Sequence, residues 1–122
     1  MNTKTAGKIG EEQAASVLQA AGMEIIAKNY RSKIAGRQTG EIDLIALDKE
    51  TIVFVEVKNW HTFGFEDLQY GIDIRKQRKI IKTAKYFLSE NRKYNKMSIR
   101  FDVIFVNGTQ ITHLASAFME RV

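Results

Sequence analysis

Between Glu41 and Lys58 the chain reads EIDLIALDKETIVFVEVK, two short aliphatic segments separated by Asp48, Lys49 and Glu50. Runs of this length, rich in Val and Ile and bounded by polar residues, predict two strands joined as a hairpin. Strands so apolar are buried in a sheet with helices packed against it. Yet Glu41, Asp43, Glu56 and Lys58 all lie within them. Side chains alternate across a strand, so Ile52, Phe54, Glu56 and Lys58 share one face and Val53, Val55 and Val57 the other. On the neighbouring strand Asp43 lies with Glu41, Ile45 and Leu47. A symmetric three-residue loop pairs Asp43 with Val55, so a one-residue bulge is required to bring it opposite Glu56.

With that register, the two carboxylates stand at about 5 Å between Cβ atoms, close enough to bind one hard divalent cation, Mg²⁺ or Mn²⁺, through oxygen. A cation there removes the repulsion between them and polarises a phosphate. Lys58, one pleat along, can orient or deprotonate an attacking water or stabilise charge on the phosphate. The competing reading is a solvated ion-pair ladder of Asp43, Glu56 and Lys58, worth about 0 to 1 kcal/mol and carrying no function.

Around the hairpin, apolar positions at helical spacing (Ile9, Ala14, Val17, Leu18, Ala21) predict a first helix over residues 8–21, stopped by Gly22. Residues 23–30 read as a strand and 31–40, RSKIAGRQTG, as an exposed loop. A second helix is predicted over 72–91 from Ile74, Ile80, Ile81, Ala84, Phe87 and Leu88. A strand over 98–106 follows, and Asn107-Gly108 signals a tight turn into 109–114. The order α-β-β-β-α-β-β describes an α/β domain with a central mixed sheet flanked by helices. At 122 residues, with no linker-like tract, a single domain over 1–122 is expected.

The formal charge of +5 favours polyanionic partners. Cysteine is absent, which excludes a disulfide framework, a thiolate nucleophile and Cys-ligated zinc. The N-terminal MNTKTAGKIGEEQ lacks the apolar core of a signal peptide, and no apolar run approaches the roughly 20 residues that span a bilayer. A cytoplasmic protein with no membrane association is expected.

GEIDLIA (40–46), FVEVK (54–58), RKQRKI (75–80) and RFDVI (100–104), preceded by IGEEQAASVLQAAG (9–22) and NYR (29–31), resemble in order the YraN-like family of predicted endonucleases. That family is placed among the PD-(D/E)XK nucleases, with the restriction-endonuclease-like fold and a likeness to archaeal Holliday-junction resolvases. The resemblance implies that Asp43 and Glu56 hold the metal with the Val57 carbonyl, and that Lys58 is the catalytic lysine. Ile42 stands where the usual proline precedes the aspartate, and the loop before GEID is lengthened by residues 33–39. The resemblance further implies a metal-dependent endonuclease that hydrolyses phosphodiester bonds in DNA, branched or otherwise structured; junction-cleaving relatives act as homodimers, and the sequence leaves open whether this chain is a homodimer too. The alternatives are a nucleic-acid-binding module of the same fold with little or no turnover, and a structural partner in a DNA-processing assembly.

A resolvase-like pattern expects an acid on the first helix and a glutamine on the second. At about 100° per residue Glu11 falls beside Leu18 at the edge of the apolar arc, whereas Glu12 falls nearly opposite it. Glu11 is therefore the candidate for a direct or water-bridged contribution to the metal, or else simply a favourable acid near a helix N-terminus. Gln77 projects into the middle of the second helix's apolar arc, where its amide needs partners such as Glu56 or Lys58, unless it is a structural buried glutamine. Arg75, Arg78, Lys79 and Lys82, with Arg31 and Arg37 from the loop, form a candidate phosphate-contacting surface. Trp60 could stack on a base, although packing beneath the following loop is the alternative. His61 and His113 are left outside the site.

Overall fold

The computed structural model describes the backbone of residues 3–59 and 72–120, with side chains from residue 7 onward within them. The expectations for Trp60 and His61 lie outside the described residues. The elements are α1 (Thr3–Ala20), β1 (Glu24–Ile34), β2 (Arg37–Asp48), β3 (Thr51–Asn59), α2 (Ile74–Glu90), β4 (Ser98–Asn107) and β5 (Gln110–Phe118), with a single 3₁₀ turn at Arg92–Tyr94. The five strands form one sheet in the order β1-β2-β3-β4-β5. β3 and β4 run parallel and the other neighbours antiparallel, so the sheet is mixed, as expected. Among the described residues no helix is long and apolar enough to cross a membrane.

Each helix covers one face. Ala14, Ala15 and Leu18 of α1 pack with Leu44, Ala46, Val53, Val55, Ile104 and Val106. Ile80, Ala84 and Phe87 of α2 pack with Ile42, Ile45, Ile52, Phe54, Phe101, Val103 and Phe105. The alternating residues of β3 divide cleanly between the two clusters, which is why its aliphatic run is nearly continuous. α1 ends where Gly22 (φ +92°) turns the chain left-handed: the Met23 N–H bonds the Leu18 carbonyl at 3.0 Å and the Gly22 N–H that of Gln19 at 3.0 Å. This pair of bonds satisfies carbonyls that the helix end would leave open.

Three local expectations are corrected. Residues 31–40 are not a loop but the β1–β2 hairpin, turned by Ala35 (φ 52°) and Gly36 (φ 79°), both left-handed as a two-residue hairpin turn demands. Alanine is an unusual residue for the first of these positions, and that hid the turn. The β2–β3 loop has two residues, since Asp48 pairs with Thr51 and Lys49 takes φ 56°. The last turn is centred on Gly108 and Thr109, because Asn107 itself pairs with Gln110.

Two close contacts hold the layers in place. Gly40 is buried against α2, and a Cβ built there would meet the Thr83 hydroxyl oxygen at 1.9 Å. At the other end of the sheet Asp102, fully buried, accepts from Arg100 Nε (2.9 Å) and Nη2 (2.9 Å), His113 Nε2 (2.7 Å) and the Ser116 amide (3.0 Å), while Arg100 also bonds Asp48 at 3.0 Å. Burial alone would raise the Asp102 pKa, but His113, Arg100 and the amide together hold it below its ordinary value of 3.8.

Gly40→Ala is expected to cost about 1 to 3 kcal/mol by forcing β2 and α2 apart, read as a fall of several degrees in thermal midpoint. Asp102→Ala leaves Arg100 partly unpaired and should cost about 3 to 5 kcal/mol. Because the folded pKa of Asp102 is depressed, its contribution is present above the ordinary value and lost as pH falls through the folded one. The wild-type advantage over the variant in denaturant titrations should therefore shrink below about pH 4. An advantage unchanged by acid would contradict the assignment.

Candidate functional site

The two-residue loop brings Asp43 and Glu56 together without a bulge. The β2–β3 pairs run Asp48↔Thr51, Leu47↔Ile52, Ala46↔Val53, Ile45↔Phe54 and Leu44↔Val55, and the next step of that register sets Asp43 against Glu56. The ladder pairs end there. In place of a ladder bond, the Val57 N–H donates to Asp43 Oδ2 at 2.7 Å. Alternation along β2 is also interrupted at this point, for Ile42 packs on the α2 side and Leu44 on the α1 side. Asp43 and Glu56 both open into a cavity on the α2 side, lined also by Gln38, Gly40, Glu41, Lys76, Lys79 and Ile80.

The helix supplies the cations. Asp73 caps α2, its carboxylate accepting the Lys76 N–H at 2.9 Å, and this fixes the first turn. Lys76 lies four residues before Ile80 and so extends the buried stripe Ile80, Thr83, Ala84 and Phe87 towards the sheet. Its ammonium meets Glu56 Oε1 at 2.8 Å. Lys76 is not among the residues anticipated from sequence, although a step of four back along the stripe from Ile80 reaches it.

Glu56 is buried, and Asp43 is partly so. The Asp43 carboxyl is pushed up to about 8, by burial first and by the charge of Glu56 next, with smaller contributions from the charges of Glu11 and Glu41, all against the Val57 hydrogen bond, which lowers it. Burial works to lower the Lys76 pKa, but the Glu56 hydrogen bond and charge carry it above its ordinary value. Among the described residues no group of three or more His, Cys, Asp or Glu side chains converges as a metal cage. The donor set on hand is a pair of hard carboxylates with one lysine as partial counter-ion, in a cavity of about 270 Å³. A water occupies roughly 30 Å³, so a cation could keep most of its shell, as Mg²⁺ does when held by one or two carboxylates. The residues fit such an ion.

Other anticipated residues are distributed as follows. Lys79 lines the cavity. Lys58 is half-buried on the strand face of Glu56 but does not line the cavity, and its side chain makes no hydrogen bond or ion pair with a described residue. Glu11 acts on Asp43 through its charge without lining the cavity, and it is half-buried where Glu12 is exposed. Gln77 Nε2 donates to the Ile72 carbonyl at 3.1 Å, not to Glu56 or Lys58, so its amide is satisfied within its own helix start. Arg78 and Lys82 line a separate groove with Ile74, Ile81 and Met119. Arg75 and Arg37 are exposed, and Arg31 lies 3.8 Å from Glu41. His113 belongs to the Asp102 cluster.

A family model described as Uncharacterised protein family UPF0102 matches residues 10–106. The chain is 44% identical to a UPF0102 protein of Treponema denticola, over 92% of this chain and 93% of that one. It is 42% identical to one of Treponema pallidum over 99% and 98%, and 42% identical to one of a Sulfurihydrogenibium species over 97% of each.

A carboxyl whose pKa is raised on folding binds more protons in the folded state than in the unfolded one between the two values, so stability falls as pH rises from 3.8 towards 8. Asp43→Asn removes that slope. Without divalent metal, the variant should match wild type near about pH 4 and melt several degrees higher near about pH 9. Parallel pH profiles for the two proteins would show that Asp43 carries no such strain.

Proposed function

The chain belongs to the uncharacterised protein family UPF0102, and we propose that it is a divalent-metal-dependent endonuclease that hydrolyses phosphodiester bonds in DNA. The observation that carries this reading is the convergence of Asp43 and Glu56 on one cavity that also holds two lysines. Lys76 pairs with Glu56, and no cation among the described residues pairs with Asp43. Asp43 and Glu56 would hold Mg²⁺ or Mn²⁺, with the Val57 carbonyl as the third protein ligand that the sequence resemblance implies. When bound, the ion supplies a polarised phosphate and a more acidic water.

The remaining parts are the chain's own. The Val57 N–H holds Asp43 in one orientation. Lys79, at the cavity wall, is placed to meet a phosphate oxygen. Lys58 would approach from the same strand face to orient the attacking water. Arg75, Arg78, Lys82, Arg31 and Arg37 would neutralise flanking phosphates, so affinity for DNA should fall steeply with salt. Gln77 serves this site by anchoring the start of α2 through Ile72. Glu11 adds negative charge that favours a cation beside Asp43.

One observation favours the alternative of a DNA-binding module with little turnover: Lys58 does not line the cavity. The test is purified protein with Mg²⁺ or Mn²⁺ against linear, flapped, single-stranded and four-way DNAs, alongside Asp43→Asn. An enzyme should cut at least one substrate and lose at least about 100-fold in rate in the variant, the scale on which electrostatic elements of a site contribute, while DNA binding persists. Binding without cutting across the whole panel selects the alternative.

A further inference from the structure

We propose that Lys76 is the resident counter-ion of the acidic pair, holding Glu56 in the metal-free protein and leaving it when a divalent cation binds. This deepens the metal reading and rests on it. The Lys76 ammonium sits 2.8 Å from Glu56 Oε1. The two partners differ in their freedom to move. The Glu56 side chain is 10% exposed and fixed in the sheet, whereas that of Lys76 is 46% exposed. A long aliphatic stem on the first turns of a helix can keep its packing while the ammonium swings to water. The carboxylate cannot make the corresponding move.

A lysine at Glu56 also neutralises the pair incompletely. Its ammonium bonds one of the two acids, while Asp43, one register step beyond the Leu44–Val55 pair and so across the strands from Glu56, receives the Val57 N–H, and two carboxylates placed directly opposite repel when both are ionised. A divalent ion binding both oxygen sets would relieve that repulsion and make the ammonium redundant, since two cations at one carboxylate repel each other. Lys79 lines the same cavity and makes no ion pair with a described residue, so the two lysines are not equivalent. Once displaced, Lys76 stays tethered at the cavity wall, where it would meet the phosphate of an incoming polyanion. Metal entry and substrate capture would thereby be coupled through one side chain.

The experiment is calorimetric titration of Mn²⁺ into the full chain without DNA, for wild type, Lys76→Met, Lys76→Arg and Asp43→Asn. Met keeps the stem and good helix propensity, and thermal unfolding checks that each variant is folded. Lys76→Met should bind Mn²⁺ more tightly, on the order of five- to tenfold, as expected for removing a partly buried competing charge. Lys76→Arg should stay close to wild type, and metal-free Lys76→Met should melt lower. If wild type binds an ion that Asp43→Asn abolishes, while Lys76→Met binds no more tightly than wild type, the metal reading stands and the counter-ion role is overturned. Absence of Mn²⁺ binding by wild type and Lys76→Met alike overturns both.

Discussion

Two partly desolvated carboxylates facing one another across adjacent strands are the constraint around which the rest of the site is arranged. Such a pair is unfavourable by itself: burial disfavours each charge and proximity disfavours both together. Asp43 shows the result in a carboxyl pushed up to about 8. The fold does not remove this stress by making one acid apolar, although an aliphatic residue would suit either strand. It balances it with a lysine from a helix, a backbone N–H and an opening to solvent. Retained stress with an available counter-charge is what separates a site from a packing error.

The Asp102 cluster supplies the contrast within the same sheet. Asp102 is more deeply buried than Asp43, yet it takes four hydrogen bonds, its pKa falls, and Arg100 ties it onward to Asp48. Alternation places it with Ile104 and Val106, on the α1 side, away from the acidic cavity. The RFDVI stretch thus has a structural explanation: its Arg and Asp are partners, and they clamp β5 to β4 where the register slips between Phe101 and Val103. A buried acid alone is therefore uninformative about function. The degree to which its hydrogen-bonding capacity is met discriminates.

Much of this was legible from period alone. Two-residue alternation put Glu56 and Lys58 on one strand face, and 3.6-residue periodicity separated Glu11 from Glu12 and set Ile80, Ala84 and Phe87 on the buried side of α2. The features that escaped depend on backbone choices that side-chain type signals weakly. Lys49 and Ala35 adopt left-handed conformations that glycine or asparagine would have advertised, so residue type signals neither the two-residue β2–β3 loop nor the β1–β2 hairpin turn. The inward-facing position of Gln77 shows that its amide needs a partner without showing whether that partner is across the layer or at the helix start, where the Ile72 carbonyl accepts from it. Lys76 stands among five other basic residues of α2, and charge alone does not distinguish it; only the buried stripe running back from Ile80 marks it as the one that meets an acid.

The location of the cavity follows from the mixed sheet itself. β3 is the strand at which pairing changes sense, antiparallel to β2 and parallel to β4. Its parallel ladder with β4 continues through Asn59, paired with Val106, while its antiparallel ladder with β2 ends at Leu44 and Val55. Beyond Val55, β3 is thus held from one side only, and its free edge turns towards Asp43. A parallel partner also requires a crossover, and here the crossover helix is α2. Its capped first turns come down over the same end of β3, beyond the last β2 pair, with Gly40 allowing the close approach. The acids come from β2 and β3 just beyond their last mutual pair and the lysines from the crossover, so the change of strand sense places opposite charges around one opening. This is the general preference of α/β sheets for sites at the carboxyl ends of parallel strands, arrived at from the pairing pattern of one strand.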